Sequence, residues 1–179
     1  MGGGSSKLSP DTLEDLRGST AFSERELRQW YIDFRASCPD GRLDKKGMER
    51  MFKQIYPEGN AVRFAENAFR TYDKNGDGFI DFKEFMCGIS VMSRGSNEDK
   101  LRWAFSLYDQ DGNGSISREE AASIIQAVYK MYNTNYSTTE LVDKMFTSFD
   151  KNKDGVLSME EFIEGSKKDK SFIKILEWN

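Results

Sequence analysis

Three twelve-residue segments of this chain carry oxygen-bearing side chains at one set of positions: Asp73 to Glu84 (DKNGDGFIDFKE), Asp109 to Glu120 (DQDGNGSISREE) and Asp150 to Glu161 (DKNKDGVLSMEE). A hard cation the size of Ca2+ needs about six to eight oxygens at roughly 2.3–2.6 Å, and a loop of this length delivers them from positions 1, 3, 5, 7, 9 and 12. All three segments have the required groups. A chain built on them must hold each loop between two helices, so the loops dictate an all-α architecture.

In the first of these loops the ligands are Asp73, Asn75, Asp77, the Phe79 carbonyl, Asp81 (directly or through water) and bidentate Glu84, with Gly78 at the sharp turn. In the next they are Asp109, Asp111, Asn113, the Ser115 carbonyl, Ser117 through water and Glu120, with Gly114 at the turn. In the last they are Asp150, Asn152, Asp154, the Val156 carbonyl, Ser158 through water and Glu161, with Gly155 at the turn. Each segment fits the EF-hand calcium loop. The apolar residues at position 8, Ile80, Ile116 and Leu157, suit a short strand through which paired loops touch.

A fourth repeat lies upstream. Placing Gly41 at position 6 puts Ala36, Cys38 and Gly47 at positions 1, 3 and 12, so this loop cannot chelate. Asp40 and Asp44 are the only carboxylates left, and Pro39 stiffens the turn. Leu43 nevertheless keeps the apolar position 8 and marks the segment as a pairing partner. The loops begin at residues 36, 73, 109 and 150, a spacing that predicts four EF-hands in two pairs with short two-stranded β contacts between paired loops.

The flanks carry helical apolar spacing. Ser23 with Glu26 forms a capping box ahead of Leu27, Trp30, Tyr31 and Phe34. Met48, Met51, Phe52, Ile55 and Tyr56 share one face of a helix that ends at Pro57. Phe82, Phe85, Met86 and Ile89 leave the second loop, Ser93-Arg94-Gly95 reads as a linker, and Ser96 with Asp99 caps the next helix. Ser137 with Glu140, and Ser158 with Glu161, cap the helices around the last loop, the second of them ending near Gly165. The chain closes on an amphipathic stretch, Phe172, Ile173, Leu176 and Trp178. The expected division is residues 1–22 as an N-terminal segment with a short helix, 23–93 and 94–165 as the two pairs, and 166–179 as the C-terminal segment.

Charge and composition narrow the use. The formal net charge is −4, and filling three divalent sites would bring it to +2, a local change that does not create a nucleic-acid surface. No basic run supports nucleic-acid binding, and no apolar segment approaches the roughly 20 residues of a membrane span. Cys38 and Cys87 lack metal-ligand spacing and suit a reducing cytoplasm; Cys38 reads as a redox-sensitive thiol or as a small, partly buried side chain. No phosphate loop, nucleophile motif or transition-metal cluster points to an enzyme.

The N-terminus, Met1-Gly2-Gly3-Gly4-Ser5-Ser6, fits the acceptor pattern for myristoylation of Gly2. Together with Trp30-Tyr31, Cys38-Pro39-Asp40-Gly41, Ser93-Arg94-Gly95 and Lys100-Leu101-Arg102-Trp103-Ala104-Phe105, it gives the chain a resemblance to the neuronal calcium sensor family over nearly its whole length. Three intact loops behind a silent first one resemble the frequenin, neurocalcin and hippocalcin branch more than recoverin. The resemblance implies an N-myristoylated cytoplasmic sensor, peripherally associated with membranes, that exposes an apolar groove on binding Ca2+ and engages a target helix or a membrane surface. Groove candidates are Trp30, Phe34, Met48, Met51, Phe52, Ile55, Phe82, Phe85, Met86, Ile89 and Met92. Gly41 and Gly95 stand at the family's hinge positions. The expected cofactor is Ca2+ at three sites, with Mg2+ an alternative occupant of some at resting calcium; a homodimer is neither required nor excluded.

The chain departs from the family at Gly3, where most members are basic, in a shorter connection around Asn133 to Tyr136, and in its end at Trp178-Asn179. One acyl chain binds membranes only marginally without a second signal such as a basic patch. The competing readings are a calcium buffer with no target and, from another class, an EF-hand photoprotein. Photoproteins silence the second hand and use His near the luciferin, whereas this chain has no His and an intact second hand.

Overall fold

The computed structural model describes residues 7–174. Helix α1 (Pro10–Ser19) starts with proline at its first position and Ser9 as N-cap. Both choices suit a helix start, where the missing N–H of proline costs nothing. Helix α2 (Glu24–Ser37) opens with the full Ser23/Glu26 capping box expected from the sequence. Four helix–loop–helix units follow: α2 to α3 (Lys45–Ile55), α4 (Val62–Tyr72) to α5 (Phe82–Arg94), α6 (Asn97–Tyr108) to α7 (Arg118–Met131), and α8 (Thr138–Phe149) to α9 (Met159–Lys168). A short helix, α10 (Ser171–Lys174), closes the described chain.

Strand β1 (Arg42–Leu43) of the silent loop pairs antiparallel with β2 (Ile80–Asp81), matching Leu43 to Ile80. Strand β3 (Ser115–Ile116) pairs in the same way with β4 (Leu157–Ser158), matching Ile116 to Leu157. The silent loop therefore keeps the register of a working one, and the position-8 residues meet in both pairs. Leu43, Ile80, Ile116 and Leu157 are all buried, which is why that position must be apolar. Gly41, Gly78, Gly114 and Gly155 all have φ between +78° and +87°, the left-handed turn that position 6 requires.

Two helix ends differ from the sequence reading. Ser93 and Arg94 belong to α5 rather than to a linker, because the helix ends only where the Gly95 N–H meets the Val91 carbonyl. Helix α9 runs three residues past Gly165, to Lys168, and places Lys167 and Lys168 at its carbonyl end, where cations are favoured.

The core is continuous through both pairs. Helix α4 packs on α6 and α7 and is the main bridge between them. A second bridge joins the α3–α4 connection to the end of α7: the Asn60 N–H donates to the Lys130 carbonyl at 2.8 Å, and the Tyr56 and Tyr132 rings meet edge to face at 5.1 Å. Helix α1 lies against α2 and α5, with Leu13 and Leu16 buried.

Candidate metal centre

The three candidate calcium loops repeat one hydrogen-bond scheme. At position 1, Asp73 Oδ2, Asp109 Oδ2 and Asp150 Oδ2 each accept from the position-6 glycine N–H at 3.0 Å. At position 3, Asn75, Asp111 and Asn152 accept from the N–H of position 5 at 2.9, 3.0 and 3.1 Å. At position 5, Asp77, Asn113 and Asp154 accept from the N–H of position 7 at 2.9, 2.8 and 3.0 Å. These contacts hold one oxygen of each side chain against the loop backbone. They also bring the position-7 residues Phe79, Ser115 and Val156 into the turn whose carbonyl the sequence assigns as ligand.

Positions 9 and 12 join each loop to its following helix. Asp81, Ser117 and Ser158 are the N-caps of α5, α7 and α9, and each forms a full capping box with Glu84, Glu120 or Glu161. The same glutamates reach back across the loop: the Oε1 atoms of Glu84, Glu120 and Glu161 accept from the position-2 N–H of Lys74, Gln110 and Lys151 at 3.0, 2.8 and 3.1 Å. Each also accepts from the position-3 N–H. A helix start and the far side of its loop are thus tied through one carboxylate. Burial pushes the Glu161 carboxyl upward, but hydrogen bonds from Ser158, Asn152 and Lys151 outweigh it and hold the group below its ordinary value.

These residues fit a hard divalent cation. Asp150 Oδ1 is buried and accepts no hydrogen bond, a costly state for a carboxylate oxygen unless a cation meets it. Asp109, Asp111 and Glu120 each bring an oxygen to within 4.8 Å of the others, a mutual repulsion that a cation relieves. Asn75 and Asn152 stand where the third loop has Asp111, so the other two loops hold one carboxylate fewer at position 3. The silent loop has no position-12 carboxylate, and a side chain there would have to displace Leu43. A Cβ built on Gly47 would stand 2.5 Å from Leu43 Cδ1.

The comparisons agree with the geometry. A family model for the EF-hand domain pair matches residues 98–167, and one for the EF hand domain matches residues 64–92. Neuronal calcium sensor 1 of Lymnaea stagnalis is 43% identical, covering 98% of this chain and 96% of the relative. The chain belongs to the neuronal calcium sensor family. S-modulin of Aquarana catesbeiana, at 37% identity over 97% of this chain and 91% of the relative, and human recoverin, at 35% over 97% and 92%, are similar over the same span. This neuronal calcium sensor is accordingly a calcium-binding EF-hand protein and a calcium sensor.

The groove candidates fall into three environments. Phe34, Met48, Phe52, Phe82, Phe85 and Met86 are buried, and Met51, Ile89 and Met92 are half-buried. Trp30 is 36% exposed and Ile55 51% exposed. The aromatic members form a chain of contacts: Trp30 on Phe85 at 6.1 Å, Phe85 on Phe34 at 5.2 Å, and Phe34 on Phe82 at 5.5 Å. Phe52 faces Phe64 at 5.3 Å, a neighbour that the apolar spacing did not single out. Gly2, Leu176 and Trp178 lie outside the described residues. Cys38 is buried and Cys87 half-buried, both as free thiols, and burial raises the Cys38 thiol above its ordinary value. Among the described residues, no helix is long and apolar enough to cross a membrane.

Proposed function

We propose that Asp73 to Glu84, Asp109 to Glu120 and Asp150 to Glu161 are three Ca2+ sites that control how much apolar surface the first EF-hand pair presents, and that a target helix occupies that surface. The observation that carries this reading is the position-12 glutamate. In each loop it spans from the first turn of the exiting helix to positions 2 and 3, so a bidentate demand from Ca2+ acts directly on helix direction. Beside the second loop, exiting helix α5 carries Phe82, Phe85, Met86, Ile89 and Met92, and Phe85 contacts the part-exposed Trp30. Met-rich, aromatic surfaces of this kind suit an amphipathic helix. An acyl chain on Gly2 would add peripheral membrane attachment, and the relatives named neuronal calcium sensor 1 and recoverin support a signalling rather than a buffering role.

The test is fluorescence of an apolar-surface dye with and without Ca2+, alongside vesicle co-sedimentation of acylated and unacylated protein. The expected outcome is a calcium-dependent rise in dye binding that disappears when Glu84, Glu120 and Glu161 are all changed to Gln. A dye signal indifferent to calcium, with normal calcium uptake, would identify a buffer instead. Each single Glu→Gln change should weaken its own site by more than the roughly 10- to 100-fold typical of losing an outer-shell partner.

A further inference from the structure

Three residues before the first ligand of each loop stand Asp33, Arg70, Ser106 and Thr147, so only the second hand has a cation there. Arg70 lies in the last turn of α4 and is half-buried, yet it does not serve its own loop. Its guanidinium crosses to the other EF-hand pair. Nη1 donates to the Asp109 carbonyl at 3.0 Å, and Nη2 donates to the carbonyls of Ser106 and Leu107 at 3.0 and 3.1 Å. These acceptors sit where α6 ends and the third calcium loop begins. Helix α6 has no basic residue in its own last turn, so Arg70 supplies from outside the cation that a helix C-terminus favours. Arg70 makes no ion pair among the described residues. Burial disfavours its charge, and the field of Asp109, Glu120 and Asp111, the cluster of the third loop, offsets part of that cost.

We propose that Arg70 is a positioning and affinity-setting residue of the third calcium site, and that it makes filling of that site loosen the contact between the two EF-hand pairs. The inference rests on the calcium-site assignment above. In the metal-free protein the guanidinium offsets part of the repulsion within the carboxylate cluster and grips α6. A divalent cation among the same carboxylates takes over that neutralising role and repels Arg70. Arg70 therefore favours the empty loop over the filled one and lowers the site's affinity. Linkage requires the reciprocal effect: a filled third site weakens Arg70's hold on α6 by the same free energy. Because Arg70 stands three residues before Asp73, the second loop receives the consequence directly.

The experiment uses the full chain carrying Glu84→Gln and Glu161→Gln, which leaves the third site alone to titrate with Ca2+. Adding Arg70→Met should tighten that site by about 3- to 30-fold, the range of a charge acting at a helix terminus, and the gain should shrink at high salt. Arg70→Gln keeps a donor for the carbonyls without the charge and should tighten the site similarly. Arg70→Lys keeps the charge without the planar fork and should stay within about threefold of the parent. A second reading needs no metal: limited proteolysis near Gly95 in calcium-free protein should speed up in Arg70→Met and Arg70→Lys relative to the parent. Arg70→Met and Arg70→Gln proteins that bind Ca2+ at the third site no more tightly than the parent would overturn the affinity role. Unchanged proteolysis in the metal-free variants would overturn the clamp. Should the Glu→Gln changes leave the third site silent as well, the loop assignment itself fails, a result distinct from either.

Discussion

The C-terminal pair of hands is closed by the chain's own tail, whereas the N-terminal pair leaves part of its apolar surface in water. In the C-terminal pair Phe172 is 2% exposed and packs on Phe149 at 5.3 Å, and Phe149 in turn meets Phe162 at 6.4 Å. Lys144 fixes this lid from above, over the Phe172 ring and paired with Asp169 at 3.1 Å. In the N-terminal pair Trp30, Ile55 and Val62 are exposed on helices, and Met51, Ile89 and Met92 are only half-buried. The exposed aromatics of the C-terminal half, Tyr132 and Tyr136, lie instead in the connection between α7 and α8. Similar loops thus sit on two unlike halves of one core: one completed internally, the other with apolar surface left exposed.

The sharpest way to break this comparison is to truncate one residue in each pair, Phe172 from the core and Ile55 from the exposed surface. Phe172→Ala should cost about 3–5 kcal/mol, the usual penalty for truncating a buried aromatic. Ile55→Ala should stay within about 0.5 kcal/mol, as exposed substitutions do. Denaturant unfolding of the two variants measures both. Equal losses would mean that Ile55 is a structural residue and that the N-terminal surface has no apolar capacity to spare.

The silent loop extends the comparison from cores to loops. Packing as well as the missing carboxylates opposes chelation there, since Gly47 lies against Leu43 and Asp44, and the Asp44 side chain already caps α3 by accepting from the Gly47 N–H at 2.7 Å. Restoring ligands with Ala36→Asp, Cys38→Asp and Gly47→Glu should therefore not create a fourth site. Calorimetry should still count three calcium ions, and overpacking at residue 47 should destabilise the protein by about 1–3 kcal/mol. A fourth ion in that titration would show the loop to be silent for want of ligands alone.

Much of this fold was legible because its elements repeat. Position-8 apolar residues, position-6 glycines and Ser or Asp caps followed by Glu are local signals, and they placed the paired strands and most helix starts. What lay outside that code is long-range. Nothing in the spacing of Arg70 reveals that its guanidinium serves a loop 39 residues away, and Gly59 reads as a turn residue until its backbone is seen against the Met131 carbonyl. The extension of α5 through Arg94 was hidden for the same reason: Arg94 is held by Glu26 and by the Ala21 carbonyl, partners about 70 residues earlier. A candidate ligand set could be proposed from sequence because a chelating loop is contiguous; the contact of Arg70 with the third loop could not, because it runs through space.

The third and fourth loops, both in the C-terminal pair, differ at position 4. Gly76 and Gly112 have φ of +72° and +70° there, and Lys153 is forced into the same region at +59°. A side chain in that region costs about 1–2 kcal/mol relative to glycine, part of which glycine returns through its freer unfolded chain. Lys153→Gly should raise stability by about 0.5–1 kcal/mol without changing the number of calcium ions bound. A loss in thermal unfolding would mean that the lysine stem contributes packing that the backbone geometry conceals.

The smallest effect concerns acid, and it separates the pairs by what ties their helices. In the N-terminal pair Arg94, at the end of α5, holds Glu26 at the start of α2; with the Ser23 hydrogen bonds, this pulls the Glu26 carboxyl from 4.5 down to about 2. A carboxyl whose folded value lies below its unfolded one contributes stability above the unfolded value and loses it as pH falls through the folded one. The difference in unfolding midpoint between the wild-type protein and Glu26→Gln should therefore be constant above about pH 5 and shrink between pH 4.5 and 2. Because both partners are exposed, solvent screening keeps the difference small, and added salt should reduce it further. Glutamine can still serve as the N3 partner of the Ser23 capping box, so a difference that instead persists unchanged to pH 2 would show that Glu26 does not act through its charge.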